Sequence, residues 1–234
     1  MVSATRIQHI PTVWLHGAGL NRDIWDPARA RGIRLDLPGH GVRPRAKAPS
    51  VASFADAILA DCPDYFDIVG HSLGGMVAQE IAAHWPERVR RLVLVESWPG
   101  QPGRAIHAAG GALSKMLASS LGPKGVGSLS ASYQRGDGKR LVRDAVSAMD
   151  SDALEDAMRA ATSFDGWGQL GQITAPTLVL RGKKNAMTYW LCEKMAKDLP
   201  NGQYLELPGG HQLFVDCAAG FYEAVDNFLS DGAK

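Results

Sequence analysis

The chain has 234 residues, of which 45% are hydrophobic and 21% are charged, and its formal net charge is +1. This length and composition suit one globular domain with a sizeable core, and the near-neutral charge argues against a nucleic-acid binder. No stretch approaches the ~20 consecutive apolar residues that a membrane-spanning helix needs, and no signal-peptide pattern opens the chain. We therefore expect a cytoplasmic protein that functions without a nucleic acid or a membrane.

Short apolar runs alternate with helix-prone segments along the chain. Strands are predicted near residues 6–10 and at 12–15, 32–36, 66–69, 91–96, 177–180 and 203–207. Helices are predicted at 53–61, 76–85, 189–198 and about 218–229. This alternation predicts an α/β fold, with a mostly parallel central sheet and helices on both faces.

Residues 98–170 differ in character from the rest of the chain. Several glycines separate amphipathic stretches at about 106–117, 139–149 and 152–161, and no strand pattern is visible in the sequence there. We interpret this segment as a helical cap inserted between two strands. Residues 1–97 and 171–234 would then form the core domain.

The run Gly70-His71-Ser72-Leu73-Gly74 matches the G-x-S-x-G pattern, with a β-prone run before it and a helix-prone run after it. In this context the motif predicts a nucleophile elbow, a sharp turn that exposes the serine hydroxyl at a helix N-terminus. The turn forces the serine backbone into a strained conformation, and the two glycines let neighbouring backbone pass close by. Ser72 is therefore predicted to be a nucleophile, and an ordinary Gly- and Ser-rich turn is the alternative.

A glycine-rich loop, His16-Gly17-Ala18-Gly19, follows the predicted strand at 12–15. Such a loop could hold a phosphate, but neither of the usual phosphate-binding glycine patterns is present. The other interpretation is an oxyanion hole, in which the backbone N–H groups of Ala18 and Leu73 stabilise a tetrahedral oxyanion. We favour this second interpretation because Ser72 supplies a nucleophile.

Polar residues collect at or just beyond the ends of the predicted strands. In open α/β sheets the site lies at the carboxyl ends of the strands, so these residues should meet there. They are His16, Asp36, Ser72, Glu96, Asn185 and His211.

Neither a metal site nor a cofactor site is predicted. His40, His71 and His84 show no H-E-x-x-H spacing and no carboxylate cluster. The three cysteines lie too far apart in sequence to indicate a disulfide framework or a zinc site.

Six segments, taken together, resemble the α/β-hydrolase family along nearly the whole chain: LHGAGLNRDIW, RLDLPGHG, GHSLGGMVAQEIA, ERVRRLVLVES, APTLVLRG and LPGGHQLF. Within that family, LHGAGLN and ADAILADCP are most similar to compact carboxylesterases of the pimeloyl-carrier-protein methyl ester esterase type. The segment at residues 25–33 is shorter than is usual in the family, which implies a reduced or missing first helix.

The resemblance implies a catalytic triad. Ser72 matches the family's nucleophile and His211 its general base, but Asn185 stands at the usual position of the acid. We interpret Asn185 as a vacated acid position and Glu96, at the end of the strand after the elbow, as the replacement, an arrangement found in certain haloalkane dehalogenases. A surface carboxylate is the alternative for Glu96, and Asp165 is a remote third candidate.

These residues predict a serine hydrolase that cleaves a carboxylic ester, with thioesters and lactones as further substrates, and that needs no cofactor. The alternatives are C–C bond hydrolysis, a lyase or a cofactor-free perhydrolase on the same scaffold, or a non-catalytic ligand-binding protein.

The substrate is expected to be a small-molecule ester, with a carrier-protein-linked ester as one form of it. Basic residues at Lys139, Arg140 and Arg143 could dock an acidic carrier, although a solvated helix face is the simpler interpretation. The predicted substrate pocket is lined by Trp98, Met116, Met158 and Trp167, and the alternative for the cap residues is the cap's own core.

Overall fold

A six-stranded parallel sheet forms the centre of the structure, a computed structural model that describes residues 10–100, 120–128, 131–132 and 136–230. Its order is β2-β1-β3-β4-β5-β6, and every pair of neighbouring strands is parallel. The strands are β1 (Thr12–Leu15), β2 (Ile33–Leu35), β3 (Phe66–His71), β4 (Val89–Val95), β5 (Thr177–Gly182) and β6 (Gly202–Leu207). All six were predicted within a few residues; the strand near residues 6–10 lies almost entirely outside the described residues.

Helices occupy most of the connections between strands. They are α1 (Val51–Leu59), α2 (Leu73–His84), α3 (Gly136–Ser147), α4 (Ser151–Ser163), α5 (Tyr189–Asp198), α6 (Leu213–Asp216) and α7 (Ala218–Ser230). Residues 120–128 are also helical, and short 3-10 helices lie at Arg22–Ile24, Pro86–Arg88, Trp167–Gln172 and Ala186–Thr188. The connection from β1 to β2 holds only the first of these 3-10 helices, which confirms the reduced first helix.

Alternate side chains of each strand face opposite sides of the sheet. Leu92 and Leu94 of β4 belong to one buried cluster, together with residues of α1, α2 and α5. Val93 and Val95 belong to a second buried cluster, together with residues of α6 and α7. The predicted α/β fold with helices on both faces is thus confirmed, and strands buried on both sides explain the continuous apolar runs in the sequence.

Between β4 and β5 the described residues form helices and loops and contain no strand. The predicted stretch at 139–149 corresponds to α3 and that at 152–161 to α4, whereas the stretch at 106–117 lies outside the described residues. Both helices pack against the core, since Val142 and Val146 of α3 join the second buried cluster and Ala157 of α4 joins the first. None of the described helices is long and apolar enough to cross a membrane.

Candidate active site

Ser72 occupies the turn between β3 and α2, with φ 52° and ψ −118°. L-residues rarely adopt this conformation, and it persists only where the surroundings fix it. A Cβ atom on Gly70 would lie 2.4 Å from the Gly74 carbonyl oxygen, and one on Gly74 would lie 2.4 Å from the His16 carbonyl oxygen. Glycine is therefore required at both positions, and Gly74 brings the start of α2 against the loop that follows β1.

Hydrogen bonds to the end of β4 and to the segment after it fix the backbone of Ser72. Its N–H donates to the Val95 carbonyl at 3.0 Å, and its carbonyl accepts from the Ser97 hydroxyl at 2.8 Å. Ser97 is buried, and a Cβ atom on Gly75 would lie 2.4 Å from the Ser97 Cβ. These contacts explain how a strained turn stays in place while the Ser72 side chain remains partly exposed.

Two buried histidines shape the loop after β1. The Nε2 atom of His40 accepts from the Gly19 N–H at 3.1 Å, and that of His16 accepts from the Leu37 N–H at 3.0 Å. The other ring nitrogen of each donates to a backbone carbonyl, so both rings are neutral with the proton on Nδ1. Burial is the main cause that lowers the pKa of both histidines, and for His16 the neighbouring His40 lowers it further. The loop therefore keeps its shape through neutral imidazoles, and no metal is needed to explain these histidines.

Ala18 and Leu73, the predicted oxyanion donors, lie in this loop and at the first residue of α2. The amides of Gly19 and Leu20 are already engaged, with His40 and with the Gly17 carbonyl at 3.2 Å. Val146 lies above the loop and close to Gly19: a Cβ atom on Gly19 would be 2.5 Å from Cγ2 of Val146. Helix α3 thus packs directly on the glycine-rich loop, a contact that the sequence did not reveal.

Glu96 follows β4 and is completely buried, with φ 47°. Its Oε1 accepts from the Gly182 N–H, and its Oε2 lies 3.2 Å from Nδ1 of His211. Asn185 Nδ2 donates to the same Oε2, and the Thr188 hydroxyl donates to it at 3.2 Å. Four donors therefore surround this carboxylate, one at Oε1 and three at Oε2, and each finds an acceptor because a carboxylate accepts at both oxygens.

His211 lies in the loop between β6 and α6 and is partly exposed. The ring of His71 supports it, because Nε2 of His71 donates to the His211 carbonyl at 2.9 Å and the two ring centroids are 4.8 Å apart. Burial, and then the neighbouring His211, hold the pKa of His71 well below its usual value of 6.5. Asp216 anchors the same loop by accepting from the Gly210 N–H at 2.7 Å.

Asn185 and Thr188 belong to the segment after β5. Asn185 does not stand apart from the site, since its side chain contacts Glu96 and its Nδ2 also lies 3.4 Å from Nδ1 of His211. Thr188 is buried at the end of a 3-10 helix, and sequence analysis missed it because no strand end or motif marks its position. Asp165 is exposed beyond α4.

The predicted pocket residues lie in different surroundings. Trp98 follows β4 two residues after Glu96 and is partly buried against the first cluster, while Met158 packs against the second. The Trp167 indole donates to the Gly100 carbonyl at 3.0 Å, and the Lys194 ammonium lies 5.2 Å from the centre of its ring. Met116 lies outside the described residues. Their role in a pocket stays a prediction.

The described part of the chain contains no group of three or more histidine, cysteine or acidic residues placed to hold a metal ion. His84, the third histidine considered for such a site, lies on α2 with Nδ1 3.1 Å from the Glu80 carbonyl.

Residues 12–224 match a sequence model of the alpha/beta hydrolase family. The chain is 32% identical to the pimeloyl-[acyl-carrier protein] methyl ester esterase of Neisseria meningitidis serogroup B, over 94% of this chain and 93% of that protein. It is 29% identical to the protein of the same name from Chromobacterium violaceum, over 94% of each.

Solved structures show the same fold at lower sequence identity. An enol-lactonase from Burkholderia xenovorans LB400 matches with a TM-score of 0.83 and 20% identity, over 97% of this chain and 94% of that one. A thermophilic esterase from Thermogutta terrifontis matches with a TM-score of 0.84 and 19% identity, over 96% and 91%.

Proposed function

The chain belongs to the alpha/beta hydrolase family and is a carboxylic ester hydrolase, and we propose that it works through an acyl-enzyme on Ser72. The observation that carries this proposal is the arrangement at the carboxyl ends of β3, β4 and β6. A strained serine stands at the start of α2, and the buried Glu96 carboxylate lies 3.2 Å from Nδ1 of His211. These are the three groups that nucleophilic ester cleavage needs.

In the proposed mechanism, His211 removes the hydroxyl proton of Ser72 as the oxygen attacks the ester carbonyl. Glu96 accepts the Nδ1–H of His211, which leaves Nε2 free as the base and stabilises the imidazolium that forms. His211 then protonates the leaving alcohol, and a water molecule hydrolyses the acyl-enzyme by the same route in reverse. Protein groups and water carry every step, so the mechanism uses no cofactor and no metal.

We assign the oxyanion hole to the backbone N–H groups of Ala18 and Leu73. The close approach of Gly74 to the His16 carbonyl supports this assignment, because it holds the start of α2 against the loop that contains Ala18. Two amides from different segments can then face one oxyanion, and the helix N-terminus adds a favourable partial charge.

Residues 98–170 are proposed to form a cap over this site, with residues 1–97 and 171–234 as the core domain. The contact between Val146 and Gly19 supports the proposal, since it places α3 above the predicted oxyanion loop. Leu154 of α4 shares a buried cluster with Leu20 of that loop and with Phe214 of α6. A substrate chain that leaves Ser72 would therefore meet the cap on its way to solvent.

The substrate is proposed to be an ester of a small alcohol with a longer acyl chain. The names of the relatives point to a methyl ester on a carrier-linked pimeloyl chain, and we propose the same class for this chain. Lys139 and Arg143 are exposed on α3, where they could contact an acidic carrier protein. Neither a nucleic acid nor a membrane is part of this proposal, and the cytoplasmic location stays a prediction.

A fluorophosphonate probe and a series of p-nitrophenyl esters test the proposal. The wild-type protein should be labelled once per chain and should hydrolyse the esters, whereas Ser72→Ala should do neither. The rate of hydrolysis of a pimeloyl methyl ester should then be compared between two substrates. In one the second carboxyl group is free, and in the other it is linked to acyl-carrier protein. A folded wild-type protein that neither reacts with the probe nor cleaves any ester would refute the acyl-enzyme.

A further inference from the structure

The carboxylate of Glu96 receives two donors that a serine–histidine–acid triad does not require. Gly182 holds Oε1, and His211 approaches Oε2, but Asn185 and Thr188 also donate to Oε2. We propose that Asn185 and Thr188 are positioning residues, which hold Oε2 of Glu96 at the point where it meets Nδ1 of His211. The proposal rests on the function proposed for Ser72, His211 and Glu96.

The segment that carries both donors is itself held in place. The Asn185 N–H donates to the Gly182 carbonyl at 3.0 Å, and the Asn185 carbonyl accepts from Nη2 of the buried Arg181 at 2.7 Å. The single hydroxyl proton of Thr188 has two acceptors in reach, the Glu96 carboxylate at 3.2 Å and the Asn185 carbonyl at 3.4 Å. The shorter distance and the negative charge favour Glu96.

An amide at position 185 is complementary to a carboxylate at position 96. The amide donates to Oε2, whereas an aspartate there would place a second negative charge against it. The amide nitrogen also lies 3.4 Å from Nδ1 of His211, and this contact does not compete with Glu96 when Nδ1 carries its proton, because both nitrogens are then donors. The opposite tautomer would turn the lone pair of Nδ1 toward a carboxylate oxygen at 3.2 Å. Glu96 therefore selects the tautomer that leaves Nε2 of His211 free, and Asn185 holds the Glu96 oxygen in place.

Thr188→Val tests the hydroxyl with almost no change of shape. We expect kcat to fall about tenfold with KM unchanged, since a hydrogen bond to a charged group is lost at the acid. Thr177→Val is the matched control: Thr177 is also buried, and its hydroxyl donates to the Ala175 carbonyl at the opposite end of β5. Both variants should lose similar stability, but Thr177→Val should keep its kcat. Equal kcat values for the two variants would overturn the assignment of Thr188.

Asn185 is tested by the pH profile and by exchange of the two side chains. Asn185→Leu should lower kcat on the order of 100-fold at every pH. Asn185→Asp should add one further ionisation to the profile of kcat against pH, because two carboxylates that share a site do not both ionise freely. A purely structural role would not produce that ionisation.

The double variant Glu96→Gln/Asn185→Asp restores one carboxylate and one amide in exchanged places. We expect its kcat to exceed that of Glu96→Gln by at least about tenfold, since a carboxylate again lies beside Nδ1 of His211. If Ser72→Ala is inactive but the exchange gives no recovery, the positioning role of Asn185 is wrong and the acyl-enzyme still stands. If Ser72→Ala keeps its activity, the proposed function itself is wrong.

Discussion

Ser72 and Glu96 share a backbone property: among the described residues, they are the two non-glycine residues with positive φ, 52° and 47°. Each follows a central strand, β3 or β4, at the carboxyl edge of the sheet. Conformations of this kind cost about 1–3 kcal/mol and persist only where the surroundings over-determine them. The strain in the described structure thus falls on the proposed nucleophile and on the proposed acid.

Ser72→Gly should separate the cost of this strain from the chemistry of the hydroxyl. Both Ser72→Ala and Ser72→Gly should lose esterase activity and phosphonate labelling, because neither has a nucleophile. Ser72→Gly should be more stable than Ser72→Ala by about 1 kcal/mol, since the relief of strain exceeds the entropy that glycine loses on folding. Urea unfolding of the two variants measures the difference.

The same pair of substitutions at Ser163, in the last turn of α4, gives the control. The backbone there is helical, so Ser163→Ala should be the more stable variant by about 0.5–1 kcal/mol. If glycine were also the less stable choice at position 72, the turn would not be strained.

Glu96→Gln should lower kcat on the order of 10³- to 10⁴-fold while the protein stays folded. The amide keeps the size of the side chain but cannot stabilise the imidazolium of His211 by charge, and a similar loss is known for an aspartate-to-asparagine change in a protease triad. Steady-state hydrolysis of a p-nitrophenyl ester measures it. Glu80→Gln is the control, because Glu80 lies on α2 and accepts from the side chain of Gln169. A Glu96→Gln variant as active as Glu80→Gln would remove Glu96 from the triad.

The strands, and the positions of Ser72 and Glu96 at strand ends, could be predicted because both depend on local signals in the sequence. A buried strand is a short apolar run, and the polar residue that follows it lies at the carboxyl ends of the parallel strands, as Ser72 and Glu96 do. Thr188 could not be found this way. It is the last residue of a 3-10 helix and does not end a strand, and its contact with Glu96 joins residues 92 positions apart.

The contacts of His71 and Val146 could not be predicted from the sequence either. His71 adjoins the serine in the motif, but its hydrogen bond to the His211 carbonyl spans 140 positions. Val146 has the helical spacing of a core residue, and this spacing does not say which surface the helix covers. The contact with Gly19 depends on how α3 is placed over the sheet.

Val146→Ala and Trp98→Ala should each shift the preference toward longer or bulkier acyl chains. Val146 lies over Gly19 of the proposed oxyanion loop, and Trp98 lies two residues after Glu96, beyond the end of β4. Each methylene that an apolar pocket gains or loses changes discrimination by about 1–3 kcal/mol. The measurement is kcat/KM across p-nitrophenyl esters of increasing chain length.

Val225→Ala serves as the control for that shift. Val225 lies on α7 and is buried in the same cluster as Val146, so its truncation also leaves a cavity. It should reduce stability without any change in the chain-length profile. A profile that is the same in all three variants and in the wild type would place Val146 and Trp98 in the packed core instead of the pocket.

The protein should lose stability as the pH falls below 6.5. The pKa values of His16, His40 and His71 are lowered in the folded state, mainly by burial, while the unfolded chain has the ordinary value of 6.5. Between the lowered values and 6.5 the unfolded state binds more protons, so the free energy of unfolding decreases as the pH decreases. Each histidine contributes at most about 1.4 kcal/mol per pH unit in that window.

Urea unfolding between pH 7.5 and pH 5 tests this dependence. His40→Gln keeps a donor and an acceptor beside Gly19 but cannot take up a proton. Below pH 6.5 the slope of the free energy of unfolding against pH should therefore decrease, by at most about 1.4 kcal/mol per pH unit. Above pH 6.5 the same slope should change little. If the slope were the same in His40→Gln and in the wild type, protonation of His40 would not be among its causes.

Arg45 connects the loop before α1 to helix α4, and its removal should loosen that helix first. Its Nε and Nη2 atoms both lie 2.8 Å from Oδ2 of Asp156, and its Nη1 lies 2.8 Å from Asp152. Asp156 is nearly buried, with 6% of its side chain exposed, whereas Asp152 is 72% exposed. Loss of Arg45 therefore leaves a poorly solvated carboxylate with Arg159 as its other guanidinium partner.

Arg45→Met keeps most of the aliphatic stem and removes the charge. We expect hydrogen exchange to become faster in α4 and to change little in β3 and β4, since opening of α4 needs less free energy than global unfolding. Asp152→Asn breaks only the exposed pair and should cost less than about 0.5 kcal/mol. Arg45→Met/Asp156→Leu should recover protection in α4, because the buried charge is then gone. If the double variant were no better protected than Arg45→Met, the unpaired Asp156 carboxylate would not be the cause of the faster exchange in α4.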